Sequence, residues 1–159
     1  MPEFSPQVLA TMLHDDLVTG RSCDYLVETL RIPEPLIEVF RYKVALYRAA
    51  VILMRLIAES SEESKFVDVQ TAYETILFGP APTPEGLEQL TALKAAMADL
   101  HEIVRTQENP QYFSWARKWF ADIGYDATNP ITNFLLVNTW MEEYVETAKA
   151  IKKCLAVLP

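Results

Sequence analysis

Residues Glu34 to Glu59 read EPLIEVFRYKVALYRAAVILMRLIAE, and no other stretch of the chain is as hydrophobic over such a length. Read as one long helix, it is apolar on nearly every side. A helix of that kind is either a membrane span or the middle of a helical bundle. Arg48 and Arg55 decide between the two. A span needs about 20 residues nearly free of charge, and the longest uncharged run within this stretch is Ala49 to Met54. The expectation is therefore a core helix, with no membrane span, sheathed by other helices.

Proline and glycine mark where those other helices begin and end. Of the ten prolines, five directly follow Ser5, Glu34, Thr83, Asn109 and Asn129. Proline suits a first helical position, where its missing N–H would be unpaired anyway, and Ser, Thr or Asn before it can cap the next free N–H groups. Gly20, Gly79 and Gly124 fall where helices would end, and each is expected to supply a left-handed closing residue. The signals give about seven helices. The first runs from Pro6 to Thr19 with Val8, Leu9, Met12, Leu13 and Leu17 at helical spacing. A short one near Asp24 to Arg31 follows, capped by Ser22, and then the core helix. A polar break, Ser60 to Ser64, leads to a helix near Lys65 to Phe78 with Phe66, Val69, Tyr73, Ile76 and Leu77 facing inward.

Beyond the stiff loop from Gly79 to Pro84, a fifth helix (about Glu85 to Gln107) carries Leu90, Leu93, Met97, Leu100 and Val104 at spacings of three and four. A sixth, near Gln111 to Ile123, is short and aromatic. In the seventh, Phe134, Val137, Met141, Tyr144, Ala148, Ile151, Leu155 and Leu158 alternate three and four to form a single seam. No stretch alternates with the period of two that a strand requires. The fold class expected is all-α: an elongated bundle of about seven helices around the 34–59 helix, one domain over residues 1–159.

Composition narrows the function. With 159 residues, half of them hydrophobic, the chain can bury a real core. Four glycines and no GxGxxG or GxxxxGK[ST] leave no phosphate-cradling loop. A net charge of −8 argues against a duplex nucleic-acid partner. Cys23 and Cys154 fit no CxxC or zinc spacing and read as reduced thiols. The first residues lack a basic start and an unbroken apolar run, so the expected location is the cytoplasm.

Catalytic chemistry finds little to stand on. A di-iron carboxylate site needs Glu-x-x-His pairs, and the residues three before His14 and His101 are Thr11 and Ala98. A helical nucleotide hydrolase would hold Mg²⁺ through Glu-x-x-Glu and Glu-x-x-Asp. Glu59 with Glu62, Glu85 with Glu88, and Glu143 with Glu146 supply only the first half. His14 with Asp15 resembles one corner of a phosphohydrolase site and lacks the other ligands. Cys23 and His14 lie on neighbouring helices and could meet. No cofactor and no metal are expected. The acidic groups Glu59–Glu62–Glu63 and Glu142–Glu143–Glu146 read as solvated faces and helix ends.

Two features point to binding. Arg41, Arg48 and Arg55 recur every seven residues, which returns a helix to within about 20° of its starting direction. The three guanidinium groups thus lie in a row. The row is either paired with local glutamates at i+3 and i+4, or it forms a groove for a carboxylate or phosphate with Tyr42 or Tyr47 beside it. Arginine suits the latter because its planar fork binds such anions in bidentate fashion. Tyr112, Phe113, Trp115, Trp119 and Phe120 crowd the sixth helix, which can bury only one face against its own bundle. Tyr112, Trp115 and Trp119 are accordingly the expected partner surface. The first reading is a non-catalytic protein-interaction module (an adaptor, regulator or inhibitor), with a second copy as a natural partner. The alternative is a small-molecule-binding domain holding an anion at Arg41, Arg48, Arg55 and Tyr47. A metal-dependent nucleotide hydrolase comes third.

Overall fold

The hydrophobic run that dominates the sequence becomes α3, Ile37–Glu62, entered through a 3-10 turn at Glu34–Leu36. The computed structural model describes residues 4–79, 83–105 and 111–158, and the side chains of 104–105 and 111–114 lie outside that description. At about 1.5 Å per residue, the 26 residues of α3 span ~39 Å. From Tyr47 to Leu53 every residue of α3 is buried. Seven successive residues cover the full turn of a helix, so the middle of α3 is enclosed on all sides. The enclosing elements are the α-helices α4 (Val67–Phe78), α5 (Pro84–Arg105) and α7 (Pro130–Leu155), together with a π-helical turn at Asp15–Thr19. α1 (Pro6–His14) packs on α4, and α6 (Gln111–Ala121) packs on α7. α2 is a six-residue helix, Asp24–Thr29. Among the described residues there is no strand, and no helix is long and apolar enough to cross a membrane.

The helix starts follow the expected chemistry. Ser5 Oγ accepts from the Val8 N–H at 3.2 Å, Thr83 Oγ1 from Gly86 at 3.0 Å, and Asn129 Oδ1 from Ile131 at 2.9 Å. In each case proline occupies the first helical position. Ser22 Oγ accepts from Asp24 at the entry to α2. The Asn109–Pro110 start and residues 80–82 of the proline loop fall outside the described residues.

Three expectations need correction. First, α3 does not break at Ser60; it continues to Glu62. Ser61 turns its hydroxyl back onto the Ile57 carbonyl at 2.9 Å, so it completes the last turn instead of interrupting it. Glu62 therefore ends α3. Second, Gly79 and Gly124 close their helices at φ +83° and +84°, whereas Gly20 sits at φ −84°. Its lack of a side chain serves a different end. The chain loops back so tightly at the π turn that a Cβ would lie 2.6 Å from the Asp15 carbonyl oxygen.

Third, the buried face of α7 takes in only part of the apolar seam. Val137, Ile151 and Leu155 of the seam are buried, but the face extends to one side through Asn133, Leu136, Trp140, Glu143 and Thr147, and Phe134 is exposed. On α5 and α4 the edges of the stripes shift likewise. Ala96 and Ile103 are buried beside Leu93 and Leu100, and Ile76 faces out. Val104 lies outside the described side chains.

Candidate functional site

The site forms where α3 passes the irregular segment between α1 and α2. Helical geometry puts Arg41, Val44, Ala45, Arg48 and Ala49 on one side of α3. All of them line a cleft of about 590 Å³. The opposite wall comes from His14, Val18 and Thr19 around the π turn and from Arg21, Ser22, Cys23 and Asp24 leading into α2. The tight return at Gly20 positions that second wall. Tyr42, whose hydroxyl donates to Gln89 Oε1 at 3.4 Å, bounds the cleft toward α5.

Arg48 is the cleft's fixed point. Its side chain is 4% exposed, as is that of Glu143 from α7. Nη1 donates to the Arg21 carbonyl at 2.7 Å and Nη2 to Glu143 Oε1 at 3.0 Å. Nη2 also lies 3.5 Å from the Ser22 carbonyl. Burying a charge is costly unless it is paired and hydrogen-bonded, and these contacts meet that demand while tying the Arg21–Ser22 backbone to α3 and α7. Arg48 Nε has no hydrogen-bond partner. Arg21 brings a second guanidinium to Glu143, with Nη1 3.1 Å from Oε2 in an orientation that does not make a hydrogen bond. Arg41, more than half exposed, meets Asp24 Oδ1 through one nitrogen at 2.8 Å.

The arginine row is thus divided. Arg41 and Arg48 enter one cleft with Arg21, which the heptad spacing did not reveal. Arg55 lies outside that cleft, paired one helical turn on with Glu59. It alone takes the local partner expected at i+4. Tyr47 does not line the cleft either. Its hydroxyl donates to Asp99 Oδ2 on α5 at 2.6 Å, and burial together with that carboxylate drives its pKa well above the usual phenol value.

The other edge of the cleft holds a polar relay. Tyr73 is fully buried, burial pushes its pKa up so that it keeps its proton, and its hydroxyl is hydrogen-bonded to His14 Nδ1 at 3.0 Å. Burial also lowers the His14 pKa, and the Asp15 carboxylate partly opposes that. Cys23 lines the same cleft as a free, buried thiol. The second free thiol, Cys154, has its pKa raised by burial and by Asp16.

Of the surface expected on the aromatic helix, Trp119 is turned inward. Trp119 is 1% exposed and sits in a cluster with Phe40, Tyr47, Phe120 and Trp140 at centroid distances of 5.6–6.1 Å. Lys43 caps its ring at 4.6 Å, donates to the Trp119 carbonyl, and pairs with Asp122. Desolvation lowers the Lys43 pKa, with Asp122 the main opposing influence. Trp119 is a core residue because α6 turns this ring inward between α3 and α7. Trp115 is half-buried against the core. The side chains of Tyr112 and Phe113 lie outside the described residues.

Among the described residues no three His, Cys, Asp or Glu side chains cluster so as to hold a metal ion. Compared with protein-family models, with curated proteins and with solved structures, the chain matches none.

Proposed function

We propose that this protein is a small-molecule-binding helical domain that holds an anionic ligand in the cleft between α3 and the π turn–α2 segment. One observation carries the reading. Three guanidinium groups, from Arg21, Arg41 and Arg48, converge on one cleft, and Asp24 and Glu143 are the only carboxylates paired to them in the ion pairs described. That leaves a local surplus of positive charge in a chain whose net charge is −8. The cleft volume falls within the range of small-molecule sites, about 300–1,000 Å³. Arg48 acts as the buried support, and Arg21 and Arg41, with more accessible side chains, are the groups that meet the ligand. Tyr47 and Arg55 belong to the scaffold in this reading. The free thiols of Cys23 and Cys154 suit the reducing cytoplasm.

The test is a thermal-unfolding series with inorganic phosphate, acetate and longer organic anions. A ligand at about 100 times its Kd stabilises a fold by ~2.7 kcal/mol. Arg41→Ala should reduce that gain without lowering the stability of the free protein by more than about 1 kcal/mol. Stabilisation by anions that Arg41→Ala and Arg21→Gln leave intact counts against the reading.

A second reading, a protein-interaction module with homodimerisation as its simplest form, draws on a different observation. Val8 and Met12, one turn apart on α1, are 44% and 41% exposed, and Phe4, just ahead of the helix, is 41% exposed. Exposed apolar side chains on one helix face suit a helical partner. Sedimentation of the wild type against Val8→Lys and Met12→Glu tests it. A dimer lost in both variants supports this reading, and a monomeric wild type removes the homodimer.

A further inference from the structure

The cleft is larger than a simple inorganic anion needs, and its lining mixes charged with apolar side chains. Arg21, Arg41 and Asp24 are among its polar lining, and Ala45, Leu46, Ala49 and Leu77 are among its apolar lining. Ala45 and Ala49 are one turn apart on α3, and their short side chains leave open the space that larger residues would fill. Leu46 and Leu77 are partly buried and packed on the core. Phosphate or acetate would fill a small part of about 590 Å³ and leave the apolar lining uncovered. The buried Arg48, with its unpartnered Nε, also lines the cleft.

We infer that the ligand is an amphiphilic anion, with a carboxylate or phosphate head at Arg21 and Arg41 and an aliphatic or aromatic body lying over Ala45 and Ala49 toward Leu46 and Leu77. The inference rests on the anion-binding reading and adds the body of the ligand to it. Carboxylate and phosphate heads share the fork geometry that arginine recognises. Each methylene buried on the apolar wall multiplies affinity several-fold, so chain length decides the outcome.

The experiment is calorimetric titration of the full chain with acetate, inorganic phosphate, octanoate, octyl phosphate and octanol, all below micelle-forming concentrations. Octanoate or octyl phosphate is expected to bind at least ~10-fold more tightly than acetate or phosphate, and octanol to bind far more weakly than either. Whichever octyl head group binds more tightly identifies the head. Arg41→Ala should weaken the octyl anions. Ala45→Leu, checked for folding by circular dichroism, should bring them down to the level of the short anions. Short anions that bind as tightly as octyl anions overturn the inference and leave the anion site standing. Octanol that binds as tightly as octanoate overturns the anion site. No binding by any of the five overturns both.

Discussion

Arg48 and Glu143 lie 95 residues apart in the chain and 3.0 Å apart in the fold, both 4% exposed at the side chain. Their contact fastens α7 to the middle of α3 and, through the Arg21 and Ser22 carbonyls, fixes one wall of the cleft. Removing one partner of a buried pair strands the other charge, at a cost of about 3–5 kcal/mol. Glu143→Leu is expected to fall in that range by urea denaturation. The double variant Arg48→Met, Glu143→Leu should recover most of the loss, since two apolar side chains of similar volume strand neither member of the buried pair and Arg21, 31% exposed, still reaches solvent.

The three arginines of the heptad row should respond very differently to alanine. Arg41 is exposed and paired with Asp24, which is more exposed still, and exposed pairs contribute about 0–1 kcal/mol. Arg48→Ala leaves Glu143 buried with only Arg21 nearby and should be the most damaging. Arg55, 22% exposed beside a largely buried Glu59, should fall between. Equal effects at all three positions would contradict the division of the row.

Gly20→Ala probes the π turn. The added Cβ would meet the Asp15 carbonyl oxygen at 2.6 Å, and backbone cannot move aside as a flexible side chain can. Forcing atoms into closely packed structure costs about 1–3 kcal/mol. The variant should unfold at lower urea and, because Arg21 and Ser22 follow directly, bind anions more weakly.

Alkaline pH should destabilise the fold through Tyr47 and Tyr73. Burial raises both phenol pKa values far above the ordinary 10.0, helped at Tyr47 by Asp99. The unfolded chain loses these protons first, so above pH 10 it binds fewer protons than the folded state and stability falls as pH rises. The contribution is complete below pH 10. Lys43 works in the opposite sense. Its pKa is lowered from 10.5 by desolvation, so the folded state loses that proton first and stability rises with pH up to that value. The tyrosine shifts are the larger. Tyr73→Phe should therefore flatten the decline in stability measured above pH 10.

Most of the architecture could be read from proline, glycine and apolar spacing, because those signals act within one turn of the chain. Ser5, Thr83 and Asn129 cap the helices expected of them, and the 34–59 run lies at the centre. The site was only half legible. Arg41 and Arg48 stood out by their spacing, but Arg21 enters the cleft through the tight return at Gly20, which no helical period encodes. Glu143 read as one of a solvated acidic group. Its place between Trp140 and Thr147, at three and four residues, puts it on the buried face of α7, and the polar character of that face hid the fact. A charge looks like surface until its partner is known, and here the partner lies on another helix. Trp119 failed in the opposite sense, since a short aromatic helix does not declare which of its rings turns inward.

The enclosure of α3 underlies all of these relationships, and backbone amide hydrogen exchange measures it most directly. The amides of Tyr47 to Leu53 should exchange only through global unfolding, with an opening free energy equal to that from urea denaturation, and should be the slowest in the protein. Exchange of those seven amides as fast as that of α1 or α2 would mean that the middle of α3 is open to solvent and would contradict the account.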